Sequence, residues 1–427
     1  MVLRQSSKLN ETHRKDMNMY TYLLIQLIGV LFIAVALLFS AYKLDLIKWF
    51  ISTIKRLPKF GIVALLIGLG CILFGGQRYN LHFAMPPYIH SVSPDNKPPT
   101  LPVPSAARFL LDSRNFERVK DIGADPASVP SPIDRPTSET IKMHLTTKEV
   151  ISEVTPGIYN NYWTFDGQVP GPMLRVREGD TVETSITNDP SSLHEHNIDF
   201  HATTGPGGGA TLSMVKPGET KTFTWKALQP GLYIYHCATS NVSVHNSHGQ
   251  YGMILVEPKE GLPKVDKEFY VVQGELYTQG GIGKKGLVLF DPQALLDNNP
   301  TYVTFNGKIN SSPIIKVKKG ETVRLYVGNG GVSLVSSFHI IGEIFDKVYI
   351  EGGLGNGAAT NKNIQTTAVL PGGSTIVEFK TDVPGKYLIV DHALARMNKG
   401  AWSTIEVVGD PSPDIFRSNS PEYPSTH

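Results

Sequence analysis

One pattern occurs twice and limits what this chain can fold into. "REGDTVETSITND" at 177–189 resembles "KKGETVRLYVGNG" at 318–330, and "KPGETKTFTWKALQPGLYIYHC" at 216–237 resembles "LPGGSTIVEFKTDVPGKYLIVDH" at 370–392. In each pair a Gly turn feeds one strand and a Pro-Gly turn feeds another. From about Lys142 onward, short Val-, Ile-, Thr- and Tyr-rich runs alternate with Gly, Pro and Asn turns, and no long helical period interrupts them. The spacing between the paired segments differs, which indicates an old duplication with insertions. An all-β chain of two β-sandwich domains, about 135 residues each, fits this rhythm. Tyr233 and Tyr387 stand at equal offsets from their Pro-Gly turns. Only the first copy carries a cysteine.

The first part of the chain differs in kind. No Asp, Glu, Lys or Arg occurs from Met17 to Tyr42, a run long enough to span a bilayer and too long for a cleaved leader. A second uncharged run, Phe60 to Gln77, has 18 residues. Between them Lys43, Lys48, Lys55, Arg56 and Lys59 outweigh Asp45, which places that loop on the cytoplasmic side. Arg4, Lys8, Arg14 and Lys15 pull the other way. The expectation is an α-helical transmembrane hairpin over 1–77 and a Pro-rich linker over 78–137 with a short helix near 105–122. The first β-domain follows over 138–262, the second over 263–409 and an extended tail over 410–427. The β-domains then lie in the periplasm of a bacterial inner membrane. A net charge of +2 gives no sign of a nucleic-acid partner.

Cys71 lies inside the second apolar run, so Cys237 is the lone thiol of the β region, and a lone Cys among histidines reads as a ligand or nucleophile. Six of the 13 histidines fall between 194 and 248. On a strand an odd separation points two side chains to opposite faces. His196 and His201 therefore diverge, Asp199 shares a side with His201, and the adjacent His236 and Cys237 also diverge. His196 can meet Cys237 on one face, completed by His245 and a residue near 250. His201 meets His236 on the other, where a third imidazole is needed. Two imidazoles, one thiolate and a weak axial ligand form the blue-copper arrangement. His194 and His248 read as outlying residues of these loops.

These segments resemble the copper-containing nitrite reductases, in particular the Neisseria-like type. The resemblance covers 138–408 and rests on "NYWTFDGQVPGPMLRVREGDTVE", "HNIDFHATTGPGGGA", "KALQPGLYIYHCA", "LVSSFHIIGEIFDKVYIEGG" and "VDHALARMNKGA". It implies two Greek-key cupredoxin domains and two copper ions per subunit. Type 1 copper falls to His196, Cys237 and His245, and type 2 copper to His201, His236 and His392, the last supplied by a neighbouring subunit of a homotrimer. Asp199 and His339 become proton donors, Ile341 faces the same cavity, and Thr367 holds the active-site histidine by a hydrogen bond. The implied reaction is the one-electron reduction of nitrite to nitric oxide in denitrification. The electron passes through the Cys237–His236 pair.

The family pattern places an axial Met thirteen residues after the Cys, where this chain has Gln250. An amide oxygen is harder than a thioether and favours Cu(II), so the first site should have a lower reduction potential. Together with the apolar runs, this suits an electron donor within the bilayer, such as quinol; a soluble cytochrome c or cupredoxin is the alternative. A multicopper oxidase needs more His-x-His pairs than the single "HEH" here. A pure electron carrier has no use for Asp199 and His339 beside an open metal site.

Overall fold

The computed structural model describes residues 116–310 and 315–420. The two apolar runs, and Cys71 with them, lie outside the described residues. Among the described residues no helix is long and apolar enough to cross a membrane.

Among the described residues the body is mostly β, built from four sheets with a few short helices. In the first copy, Thr140–Thr155 runs parallel to Thr181–Asn188, which pairs antiparallel with Thr220–Lys226. The facing sheet sets Leu174–Arg177 parallel to Tyr251–Glu257, followed by Gly231–His236 and Asp199–Phe200. The second copy repeats both patterns. Lys267–Leu276 runs parallel to Thr322–Asn329, and Ser374–Lys380 pairs antiparallel with the latter. Ile315–Lys318 runs parallel to Trp402–Val408, followed by Gly385–Asp391, Ser336–Ile341 and Thr366–Val369.

Alternating side chains bury one face of each sheet, as Thr181–Asn188 shows with every second residue inside. Phe165, Phe200, Trp225 and Tyr235 fill the first sandwich, and Phe305, Phe338, Phe345 and Phe379 the second. A further apolar cluster joins the copies, bringing Val150, Ile234 and Leu255 against Tyr270, Val272 and Ile376. The tyrosines at equal offsets make equal bonds: Tyr233 donates to the Gln229 carbonyl at 3.2 Å and Tyr387 to the Val383 carbonyl at 2.7 Å. Each hydroxyl closes the turn that precedes its own strand.

The linker expectation needs correction from Phe116 onward. Glu117–Val119 is a strand, not helix, and runs parallel along Val150–Ser152. The Ala124 amide then donates to Val169 at 3.0 Å, and Asn306 of the second copy donates to the Ala124 carbonyl at 3.1 Å. Arg175 donates to the Pro130 carbonyl at 2.5 Å, and Arg135 pairs with the buried Asp180. Residues 116–137 are therefore packed structure bridging both copies. Phe116, Ile122, Ala124 and Pro126 are buried, whereas Pro130, Pro132 and Pro136 are exposed and the segment is held mainly by hydrogen bonds.

Candidate metal centres

Each centre is assembled where strands end. His196 sits just before the strand Asp199–Phe200, and Cys237 directly follows Gly231–His236. His245 is carried by the short helix Val242–Ser247, and Gln250 follows Gly249, whose φ of 101° turns the chain back into the sheet. The Cys237 Sγ lies 3.9 Å from His196 Nδ1 and 3.3 Å from His245 Nδ1. The Gln250 Oε1 is 3.2 Å from that same Nδ1. All four side chains are buried, Gln250 completely.

The donor set fits copper. A thiolate, two imidazole nitrogens and an amide oxygen converge on one enclosed point, the pattern that selects copper in electron-transfer sites. The Gln250 Nε2 is buried without a hydrogen-bond partner, so its amide is not explained by a hydrogen-bond network of its own. Burial by itself pushes the Cys237 thiol up, but His245 and His196 more than reverse this and leave it well below the usual thiol range. The protein thus holds a ready thiolate, the form that ligates metal. The Asn197 Oδ1 accepts from the Ala238 amide at 2.7 Å, which ties the chain after the Cys to the chain after His196.

The second centre lies on the opposite face, as the odd spacings predict. Asp199, His201 and His236 offer ligand atoms within 4.8 Å of one another. The two Nε2 atoms are 3.0 Å apart, and His236 Nδ1 lies 2.9 Å from the Cys237 carbonyl oxygen, so Nδ1 donates and Nε2 is free to ligate. Burial and the neighbouring His236 push the His201 pKa down, which favours its neutral form. The Asp199 carboxylate has room because Gly208 has no side chain: a Cβ there would fall 1.8 Å from Oδ1. Gly208 has φ of 53°, so the "GPGGGA" turn is shaped by backbone conformation as well as by space.

His392 is not part of this cluster in the single chain. It is exposed in the second copy with its ring 5.2 Å from that of His339. Ile341 points outward from the same strand and is exposed. Thr367 does not hold His339: the Nδ1 of His339 instead donates to the Gln365 carbonyl at 2.6 Å. A main-chain oxygen fixes the tautomer where a hydroxyl was expected.

Sequence reasoning missed three residues around the first centre. Glu149 is fully buried and its Oε1 accepts from the Leu193 and His194 amides, both at 2.8 Å, and lies 3.5 Å from His196 Nε2. Trp163 packs against four imidazoles, those of His194, His196, His245 and His248. Asn197 is the third. A signal for Trp163 existed in the repeat: "YWTFDG" at 162–167 answers "YVTFNG" at 302–307, with an aromatic substituted in one copy only.

Two segments match profiles described as multicopper oxidase, at 147–261 and 288–408. The copper-containing nitrite reductase of Neisseria gonorrhoeae is 55% identical over 292 residues, covering 67% of this chain and 74% of that one. The chain belongs to the copper-containing nitrite reductases. Solved structures agree. The copper nitrite reductase of Nitrosomonas europaea shares 32% identity at a TM-score of 0.55, covering 64% of this chain and 96% of that one. A copper-containing nitrite reductase from Thermus scotoductus shares 31% at 0.56, covering 64% of this chain and 63% of that one. As a member of this enzyme family the chain reduces nitrite with copper bound at two types of site.

Proposed function

We propose that this nitrite reductase acts as a homotrimer anchored in the bacterial inner membrane, with the second centre completed between subunits. The observation that carries the reading is the separation within one chain of His392 from His201 and His236. A copper site with an open position needs three protein ligands, and with Asp199 kept as the acid one chain brings together only two imidazoles, those of His201 and His236. Val335, Ile341 and Leu394 are exposed on the strand and turns around His339 and His392, an apolar surface suited to a second copy. Head-to-tail contacts repeated by three-fold symmetry would close a ring with three such sites.

Copper at the second centre would supply a Lewis acid for nitrite and the electron that reduces it. Nitrite, one electron and two protons give nitric oxide and water. Asp199, beside the cluster and freed by Gly208, gives the first proton to the oxygen that leaves. His339, its Nδ1 committed to Gln365, presents Nε2 for the second. Cys237 and His236 are adjacent and serve different centres, so one peptide unit is the covalent path between them. The His236–Cys237 carbonyl bond holds that path rigid. His196, Cys237 and His245 would hold copper at the first centre, and the Gln250 amide oxygen beside them would favour its oxidised form and so lower the potential toward that of a donor in the bilayer. The apolar runs at 17–42 and 60–77 anchor the chain where quinol is available.

Hybrid trimers test the sharing of the site. His201→Ala and His392→Ala chains are each inactive, and co-refolded mixtures recover nitric oxide formation only if one site draws on two chains. No recovery, with trimers verified by mass, overturns the shared site. Nitric oxide formed from nitrite and a short-chain quinol, with no soluble carrier present, supports the donor assignment. A strict requirement for cytochrome c or a cupredoxin overturns it.

A further inference from the structure

We propose that Trp163, clamped between His194 and His248, is the relay that brings electrons into the first copper centre from the face of the body where His194 is exposed. The inference rests on the copper reading of that centre and goes beyond it, because neither His194 nor His248 is a ligand.

The geometry is specific. The indole lies 4.5 Å from His248 at 17°, a stacked pair, and 4.4 Å from His194 at 30°. Its other contacts are edge-on to the two ligand imidazoles, His245 at 4.5 Å and 77° and His196 at 5.7 Å and 66°. Offset stacking and edge-to-face contact are the favoured aromatic geometries, and here they form a continuous π path. The path begins at solvent, because the His194 side chain is 37% exposed, whereas Trp163 is 6% exposed. The indole nitrogen donates to Asn161 Oδ1 at 2.7 Å, and Glu149 holds His194 in place at 3.0 Å. The entry ring and the indole are therefore both fixed.

The fold alone does not demand an indole here. The equivalent residue of the second copy is Val303, completely buried, between Tyr302 and Thr304 as Trp163 is between Tyr162 and Thr164. Asp166 and Asn306, and Gly167 and Gly307, even repeat the same left-handed turn after these strands. The copy that has the thiolate has the indole, and the copy without it has a valine.

The step is a one-electron transfer. Whatever donor reaches His194 is oxidised by one electron, the first centre is reduced by one, and Trp163 bridges them with no net change and no proton released. Reduced cytochrome c serves as probe donor for the copper-loaded full chain, and stopped-flow absorbance follows the first centre. Trp163→Leu is expected to slow this reduction at least tenfold while the visible band and reduction potential stay in place. Trp163→Phe, which keeps an aromatic ring, is expected to recover much of the rate. His194→Gln, which changes no proposed ligand, is expected to slow it several-fold. An unchanged rate in Trp163→Leu with an intact band overturns the relay. So does equal slowing of reduction and of reoxidation by nitrite, which marks general damage to the centre. Failure of all variants and wild type to be reoxidised by nitrite would count against the enzyme reading instead, and the reduction kinetics would still decide the relay. In the unloaded protein, Trp163 emission provides a second readout: copper binding quenches it in wild type, and the quenching is lost in Trp163→Phe.

Discussion

The two β-domains share a skeleton and differ in what it holds. Strand register makes the comparison residue by residue. Thr147 pairs with Asn188 and Gln273 with Asn329, so Glu149 and Glu275, each two residues on, are equivalent. Glu149 accepts the Leu193 and His194 amides, and Glu275 accepts the Leu334 amide at 2.8 Å with those of Val332 and Ser333 nearby. The Asn188 amide bonds the carbonyls of His194 and Val215, and the Asn329 amide those of Leu334 and Val369. These buried polar groups tie down the same loop in both copies, so they belong to the fold.

The differences fall where copper chemistry lies. Counting from Tyr233 and Tyr387, Val390 stands for His236 and Asp391 for Cys237. Asp199 pairs with His236 and His339 with Val390, so Asp199 and His339, the two proposed proton donors, occupy one equivalent position in the two copies. Three and two positions around them, Ser336 stands for His196 and Ile341 for His201. Asp391 is buried like the thiol, but it is satisfied within the protein: it accepts from the Ser337 and Ala393 amides and from Gln273 and pairs with Arg396 at 2.6 Å. Duplication kept the scaffold and left one copy to bind metal and the other to offer His339 and His392 at its edge.

The sharpest break of this comparison makes the first copy chemically like the second. Cys237→Asp is expected to abolish the visible band of the first centre and reduce nitric oxide formation to background. A retained band would mean that the thiolate is not the ligand. Carboxylate replacement is not rescued by the surroundings, because no arginine stands where Arg396 stands in the second copy.

A smaller effect separates skeleton from site. Glu149→Ala and Glu275→Ala each strand buried amides, and each is expected to cost roughly 3 kcal/mol in urea unfolding. Only Glu149→Ala should also move the first centre, raising its reduction potential, because a buried negative charge near His196 is removed. A potential shift of equal size in Glu275→Ala would dissolve the distinction.

Much of this plan was legible in the sequence. Alternation and turn chemistry marked the two β-domains, and odd spacing divided His196 from His201 and His236 from Cys237 before any coordinates. What could not be read was long-range. Glu149 meets His196 only because its strand, Thr140–Thr155, is brought against the segment before Asp199–Phe200, and Trp163 looks like any core aromatic until four imidazoles contact it. The Thr367 expectation failed because pairing of Ser336–Ile341 with Thr366–Val369 brings the Gln365 carbonyl to His339 first. Residues 116–137 looked like a tether because their ties are long-range, to Val150–Ser152, Val169, Arg175 and Asp180, and leave no local pattern.

Gln250→Met sharpens the comparison at the level of tuning. It replaces the amide oxygen by a soft thioether, with the fold and the other three ligands untouched. The reduction potential of the first centre is expected to rise and the midpoint of unfolding to stay within about 1 kcal/mol, as for other volume-conserving changes. Spectroelectrochemical titration measures it, and an unchanged or lower potential would remove Gln250 from the axial position.

The smallest effect belongs to the second copy alone. Burial pushes the Glu343 carboxyl up to about 7, helped by the nearby charges of Asp346 and Asp382 and opposed by its bond from the Ile344 amide. A raised acid favours the folded state fully only below its unfolded pKa near 4.5, and that contribution is lost as pH rises through 7. Glu343→Gln removes the titration. After allowance for partial exposure it is expected to stabilise the body by about 1 kcal/mol at pH 8 relative to pH 5. Urea unfolding at the two pH values, compared with wild type, reads the difference directly. Equal curves for wild type and variant at both pH values would show that the carboxyl is hydrated in the native state and that the second copy carries no pH-dependent cost of its own.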